Sequence, residues 1–183
     1  MIDCGIPFSK MKDDLDKVDT LLITHAHSDH VKPTTFERIR REFPNICVYG
    51  NADVAYQYEL DTVVESNSFS LRGRRKIIPF PGVHDVPVTG YIIEMKKLNI
   101  LYMTDSAIVN PRYNKPIDYF FLESNFDERK LLEKAKQYKR HGYDPYLSVT
   151  RHLSTQKCKE FYFVNRRNEN SILIELHKSS RFY

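Results

Sequence analysis

Short apolar runs alternate with polar and turn-forming residues along the chain, and this pattern predicts strands interspersed with a few helices. The apolar run at 20–24 is too short for a helix and predicts a buried strand. Pro33 suits a first helical turn and Pro44 a stop, so a helix is predicted over 33–43. The other predicted strands are 1–4, 46–49, 76–80, 90–95, 99–104, 118–122 and 171–176, and the other helices are 127–140, one capped by Asn51 through 59, and one capped by Ser154 or Thr155 through 161.

Strands mixed with a few helices predict an α/β or α+β fold, and we expect one domain over residues 1–183. The composition, 41% hydrophobic and 28% charged, is typical of a globular protein. No apolar run reaches the roughly 18 residues that span a bilayer, and the first residues lack signal-peptide features. We therefore expect a cytoplasmic protein without membrane partners, whose cysteines Cys4, Cys47 and Cys158 are reduced thiols.

The net charge is +4, and basic residues cluster at 72–76, 136–140 and 166–167. Such clusters are able to neutralise phosphates, but a solvated surface has the same composition. The sequence lacks the signature of a nucleic-acid-binding module. Charge alone therefore leaves the partner open.

The most informative segment is His25-Ala26-His27-Ser28-Asp29-His30, which directly follows the predicted strand at 20–24. It places three imidazoles and a carboxylate at one strand end. Imidazole and carboxylate are ligands of zinc and related divalent ions. The segment predicts a metal site.

Further residues of the same chemical types stand at the ends of other predicted strands or before a helix cap. Two ions sharing a water lower its pKa and clamp the attacking and leaving oxygens, which favours a hydrolytic site over a closed structural one. We expect one ion on His25, His27 and His84, a second on Asp29, His30 and His177, and Asp105 between them. Asp3 ends the first predicted strand, and His152 precedes a predicted helix cap.

These motifs resemble the metallo-β-lactamase superfamily, in which His-x-His-x-Asp-His is the defining motif. The similarity runs along nearly the whole chain. Residues 2–5 resemble the first motif, whose aspartate orients the ligands. The segments 82–84, 102–106 and 177–182 resemble the later ligand motifs of tRNase Z-type members, and 121–127 and 151–154 resemble segments of WalJ/YycJ-like or tRNase Z-like enzymes.

The resemblance implies an αββα sandwich and a phosphodiesterase or nuclease that uses a hydroxide bridging two divalent ions, Zn²⁺ or Mn²⁺. It implies catalytic roles for Asp29 and Asp105. His152 would protonate the leaving oxygen and Glu123 would orient His152. The substrate class stays open between DNA, RNA and a small nucleotide. A cyclic-nucleotide or other small-molecule phosphodiesterase and a non-catalytic metal-containing binding protein are the alternatives.

The chain also departs from that family pattern. It starts at the strand that contains Asp3 and ends six residues after His177, so we expect the usual N-terminal β-hairpin and C-terminal helix to be lacking. An uncovered sheet edge invites pairing, which predicts a homodimer or a partner chain on that edge. Phe126 replaces a family histidine, and the segment between His84 and Asp105 is too short for the tRNase Z arm. Transfer-RNA processing is therefore disfavoured.

Overall fold

The fold is given by a computed structural model that describes residues 1–64, 69–71, 75–139, 146 and 149–183. A 3₁₀ turn at Phe8–Lys10 precedes helices α1 (Lys12–Leu15), α2 (Pro33–Glu42), α3 (Ala52–Gln57), α4 (Glu128–Lys139) and α5 (Thr155–Asn165). The strands are β1 (Thr20–Leu22), β2 (Cys47–Gly50), β3 (Thr62–Val63), β4 (Phe69–Leu71), β5 (Arg75–Pro81), β6 (Thr89–Glu94), β7 (Asn99–Met103), β8 (Tyr119–Glu123) and β9 (Ile172–Leu176).

The chain forms two compact units, of which the first comprises Met1–Glu65 and Val86–Thr89. Its sheet has the order β1-β2-β3 with parallel pairing. The apolar side of α2 supplies Phe36 and Ile39 to a buried cluster that also contains Leu21 and Val48. Burial of these side chains holds β1 in place, and β1 leads directly into the histidine-rich segment.

The second unit comprises Ser66–Asp85 and Gly90–Tyr183, and six strands in the order β4-β5-β6-β7-β8-β9 form its sheet. Pairing is antiparallel between β6 and β7 and parallel across β7, β8 and β9. Helix α5 packs on this sheet through Tyr162, whose ring lies 5.1 Å from that of the fully buried Phe120. The carboxyl ends of the parallel strands β7, β8 and β9 therefore lie side by side, and Asp105, Glu123 and His177 lie at these ends.

Most predicted elements are confirmed to within one or two residues, and the exceptions have physical causes. Residues 1–4 form isolated bridges instead of a strand, because Asp3 has φ 55° and interrupts the extended backbone. Helix α5 ends at Asn165 rather than at the predicted 161, since the contact of Tyr162 with the sheet outweighs the low helix propensity of aromatic residues. The 3₁₀ turn, α1, β3 and β4 were not predicted.

Parts of the predicted basic clusters, at 72–74 and 140, lie outside the described residues. In the parts of the chain that the structure describes, every helix is too short or too polar to cross a bilayer. Strand β9 lies at one edge of the six-stranded sheet, with Ile172 exposed. The dimer or partner chain on a sheet edge stays a prediction.

Candidate metal centre

In the first unit, Asp3 orients the histidine-rich segment through hydrogen bonds. Its Oδ1 accepts from the backbone N–H of Thr24 at 2.8 Å, and its Oδ2 accepts from the Thr24 hydroxyl at 2.8 Å. The same Oδ2 lies 2.8 Å from Nδ1 of His30. Burial raises the pKa of Asp3, and the pairing with His30 opposes that rise. An imidazole that donates from Nδ1 keeps the lone pair on Nε2, so Asp3 prepares His30 to bind a cation through Nε2.

The structure brings the three histidines of this segment together. Nε2 of His25 lies 3.1 Å from Nδ1 of His27, and the ring centroids of His25 and His30 are 4.1 Å apart. Gly5 allows the loop to approach, since a Cβ there would lie 1.6 Å from the carbonyl oxygen of Asp29. Clustered imidazole nitrogens of this kind are suited to binding divalent cations.

Asp29 differs from these histidines in its exposure. Its side chain is 70% exposed, and its carboxylate lies 3.8 Å from Nε2 of His30. The carboxylate is therefore beside the nitrogen that Asp3 prepares for a cation. Its predicted roles as a ligand and a catalytic group stay predictions.

A second group of ligand atoms lies in the second unit, at the carboxyl ends of β7, β8 and β9 and in the loop before α5. Asp105, Glu123, His152 and His177 each offer one atom, and these atoms lie within 4.8 Å of one another. Asp105 and Glu123 are buried. Buried carboxylates need cations or hydrogen-bond donors around them, and the two histidines supply the donors here.

Glu123 is the hydrogen-bonding hub of this group. Its Oε1 lies 2.7 Å from Nδ1 of His152 and 2.8 Å from Nδ1 of His177. Its Oε2 accepts from the backbone N–H groups of Ser106 at 2.8 Å and Leu153 at 3.2 Å. With Nδ1 of both imidazoles directed at a carboxylate, both Nε2 atoms remain for a metal or a substrate. The sequence predicted the bond to His152, whereas the bond to His177 was missed.

His177 also contacts Asp105, so its ring lies between two carboxylates. Its Nδ1 is 2.9 Å from Oδ1 of Asp105. The hydrogen bonds that Nδ1 of His177 donates, first to Asp105 and then to Glu123, raise the pKa of His177 to about 10. In the metal-free protein, the imidazolium thus supplies positive charge that these carboxylates require.

Three of the candidate site residues have a left-handed backbone conformation, unlike the extended strands next to them. Asp3, Asp105 and His177 have φ values of 55°, 51° and 53°, in the left-handed region. Side chains with Cβ pay about 1–3 kcal/mol for such conformations, which cluster at functional sites. Aspartate and histidine tolerate the region better than most residues. His177 follows β9 directly, so the chain leaves the extended conformation of β9 at this predicted metal ligand.

The structure adds an ion pair that the sequence did not indicate. The guanidinium of Arg151 pairs with the carboxylate of Asp85. His84 lies between these residues, with Nδ1 3.2 Å from the carbonyl oxygen of Arg151 and Nε2 3.0 Å from the carboxylate of Asp85. Its ring centroid is 5.3 Å from that of His152. The ion pair thus links the loops of two predicted site residues. A motif search misses it because neither residue belongs to a ligand motif.

A sequence model of the family described as "Beta-lactamase superfamily domain" matches residues 3–145. The chain belongs to this family. The match includes Asp3, the histidine-rich segment, His84, Asp105 and Glu123. No curated protein matches the sequence.

Solved structures of this superfamily share the fold at low sequence identity. The metallo-β-lactamase fold protein YhfI from Bacillus subtilis has a TM-score of 0.72 at 16% identity, covering 97% of this chain and 73% of its own. The short form of human tRNase Z has a TM-score of 0.67 at 18% identity, with coverages of 98% and 82%. A diphosphatase of the PhnP family has a TM-score of 0.67 at 17% identity, with coverages of 99% and 68%. The predicted metallo-β-lactamase fold is confirmed.

The donor sets fit the divalent ions that the superfamily implies. Imidazole nitrogens and carboxylate oxygens are present, and carboxylates hold His30, His152 and His177 through Nδ1. The predicted division of ligands joins residues of two units: His25, His27 and His84 for one ion, and Asp29, His30 and His177 for the other, with Asp105 as the bridge. This division stays a prediction.

Proposed function

We propose that this chain is a metal-dependent hydrolase that cleaves a phosphodiester. The observation that carries the proposal is the bifurcated contact of Glu123 Oε1 with Nδ1 of both His152 and His177. Glu123 thus orients His152, the predicted acid, in the same way as His177, a predicted metal ligand. This arrangement supports a site that combines metal binding with proton transfer.

His152 is suited to give a proton to a leaving oxygen. Its side chain is only 17% exposed, and Glu123 fixes its ring through Nδ1. A general acid must reach its target through a free nitrogen, and Nε2 meets that requirement. After the proton has been donated, Nδ1 stays hydrogen-bonded to Glu123, so the ring keeps its orientation for the next cycle.

Two divalent ions, Zn²⁺ or Mn²⁺, would supply Lewis-acid chemistry, lowering the pKa of water and stabilising negative charge on the phosphoryl group. We assign His25, His27, His30, His84, Asp105 and His177 to holding them, with Asp29 as a further ligand and catalytic group. Asp3 and Glu123 fix ligand orientation through hydrogen bonds. Mutation of residues that orient ligands in this way weakens metal binding by about 10- to 100-fold in comparable sites.

Turnover of bis-p-nitrophenyl phosphate with added zinc or manganese tests this proposal. Asp105→Asn is the informative variant, because asparagine also tolerates the left-handed backbone at this position while removing the charge. We expect hydrolysis by the wild-type protein and a loss of at least about 100-fold in the variant. Asp13→Asn, at an exposed position of α1, is the matched control and should keep wild-type turnover. Absence of turnover, or turnover that survives Asp105→Asn, would refute the proposal.

A further inference from the structure

A cavity of about 290 Å³ opens beside the two histidines that Glu123 orients. Its lining includes His152, His177, Lys178, Ser180 and Arg181. All of these residues belong to the second unit. The cavity therefore adjoins the candidate active site through the histidines themselves. Asn125 and Val149 also line it, and the other lining residues come from the turn after β9.

The charge of the lining favours an anion. Among the described residues of the lining, Lys178 and Arg181 carry positive charge and none is a carboxylate. Lys134 lies at the same turn, since its Nζ donates to the carbonyl oxygen of Arg181 at 2.8 Å. Glu175, outside the lining, offsets part of this charge through its ion pair with Lys178 at 2.9 Å. Two cationic side chains in the lining, with the hydroxyl of Ser180 as a further donor, suit a phosphate group.

The turn that carries these cations is held in place from behind. The side-chain amide of Asn125 donates to the carbonyl oxygen of His177 at 2.9 Å. The backbone N–H of Ser179 donates to the carbonyl oxygen of Asn125 at 2.8 Å. Phe182 is 2% exposed and anchors the turn in a cluster with Phe126. The cavity is thus formed before any ligand binds, as is usual for binding sites.

On the basis of the proposed function, we propose that this cavity binds a second phosphate of the substrate, next to the one that is hydrolysed. His152 and His177 stand at the boundary between the two positions, and Lys178 and Arg181 serve the second. The volume is at the small end of ligand pockets, so it suits a phosphate with an adjoining sugar. The substrate is then a strand of nucleic acid or a related bisphosphate, in preference to a cyclic mononucleotide with one phosphate.

Equilibrium binding to the zinc-loaded protein tests the second-phosphate site without requiring turnover. The probes are thymidine 3′,5′-bisphosphate, thymidine 5′-monophosphate and thymidine 3′-monophosphate, measured by isothermal titration calorimetry. We expect the bisphosphate to bind at least about tenfold more tightly than either monophosphate. Thymidine 5′-diphosphate, in which the two phosphates are joined directly, tests how the second phosphate is linked to the first. If it binds as tightly as the bisphosphate, the site exists and accepts directly bonded phosphates.

The variant with both Lys178→Gln and Arg181→Gln should reduce this preference to about twofold or less. The single variants should reduce it in part, and they serve if the double variant does not fold. Lys159→Gln, an exposed position of α5 outside the lining, removes the same charge and should keep the wild-type preference. Equal binding of bisphosphate and monophosphates, or a preference that survives both glutamines, would overturn the inference.

The two proposals fail in different ways. If bis-p-nitrophenyl phosphate is hydrolysed while the bisphosphate shows no preference, the second-phosphate site is wrong and the proposed reaction stands. If the preference is present and depends on Lys178 and Arg181 while hydrolysis is absent, the reaction is wrong and the anion site stands.

Discussion

Replacing Glu123 with glutamine tests the hub of the second unit by removing a charge at nearly constant shape. The side chain is fully buried, and four donors surround its two oxygens: the Nδ1 atoms of His152 and His177, and the backbone N–H groups of Ser106 and Leu153. A glutamine side chain keeps one acceptor oxygen and turns an NH₂ group towards the other donors. Either the imidazoles or the backbone groups therefore lose their acceptor.

The expected cost follows from the burial of these donors. A buried donor without a partner costs about 1–3 kcal/mol, so two of them destabilise the protein by about 2–4 kcal/mol after relaxation. For a chain of this length, this lowers Tm by about 5–15 °C. Loss of the acceptor behind a ligand weakens metal binding by about 10- to 100-fold. Release of His152 lowers kcat by at least about 100-fold on substrates that need an acid.

These effects are measured by thermal unfolding, by zinc titration against a chelating dye, and by hydrolysis of a dinucleotide at saturating zinc. Glu169→Gln, at an exposed loop position, is the matched control and should resemble the wild type in all three assays. A Glu123→Gln variant that keeps wild-type kcat at saturating zinc would refute the role of Glu123 in orienting His152.

Three further predictions follow from the structure. His152→Ala should lower kcat by about 10²- to 10⁴-fold on a dinucleotide but much less on bis-p-nitrophenyl phosphate, because p-nitrophenolate leaves without a proton; an equal loss on both would contradict its role as acid. In the metal-free protein, the pKa of His177 is raised to about 10, mainly by Asp105, so the folded state binds an extra proton between pH 6.5 and 10. The contribution of protonated His177 to folding stability is complete below pH 6.5 and is lost as the pH rises through about 10. Tm measured with a chelator should therefore fall over this window more steeply in the wild type than in His177→Gln. Equal slopes would refute this. Gly5→Ala should unfold or severely destabilise the protein in chemical denaturation, because its Cβ would lie 1.6 Å from the carbonyl oxygen of Asp29; a loss below about 1 kcal/mol would contradict the close approach.

The ends of strands could be predicted from the sequence because polar residues interrupt apolar runs there. His25, Asp105 and His177 each follow such a run, and the structure confirms that β1, β7 and β9 end one to three residues before them. The left-handed backbone at Asp105 and His177 was not predicted. Short polar residues permit that conformation without requiring it, so their presence alone does not identify it.

The contacts between distant side chains could be predicted only in part. The pairing of Glu123 with His152 was expected from a family motif, and its sharing with His177 depends on the parallel register of β8 and β9. The ion pair of Arg151 with Asp85 joins loops 66 residues apart, which no local pattern encodes. Sequence patterns report local conformation, whereas these contacts arise from tertiary packing.

Counting bound metal is the most direct test of whether the histidine-rich segment and the ligand residues of the second unit hold a pair of divalent ions. The measurement is elemental analysis of zinc per chain after reconstitution and dialysis, for the wild type, His27→Ala and Asp105→Asn. We expect two zinc ions per wild-type chain and at most one in each variant. Fewer than two ions in the wild type, or an unchanged number in both variants, would contradict it.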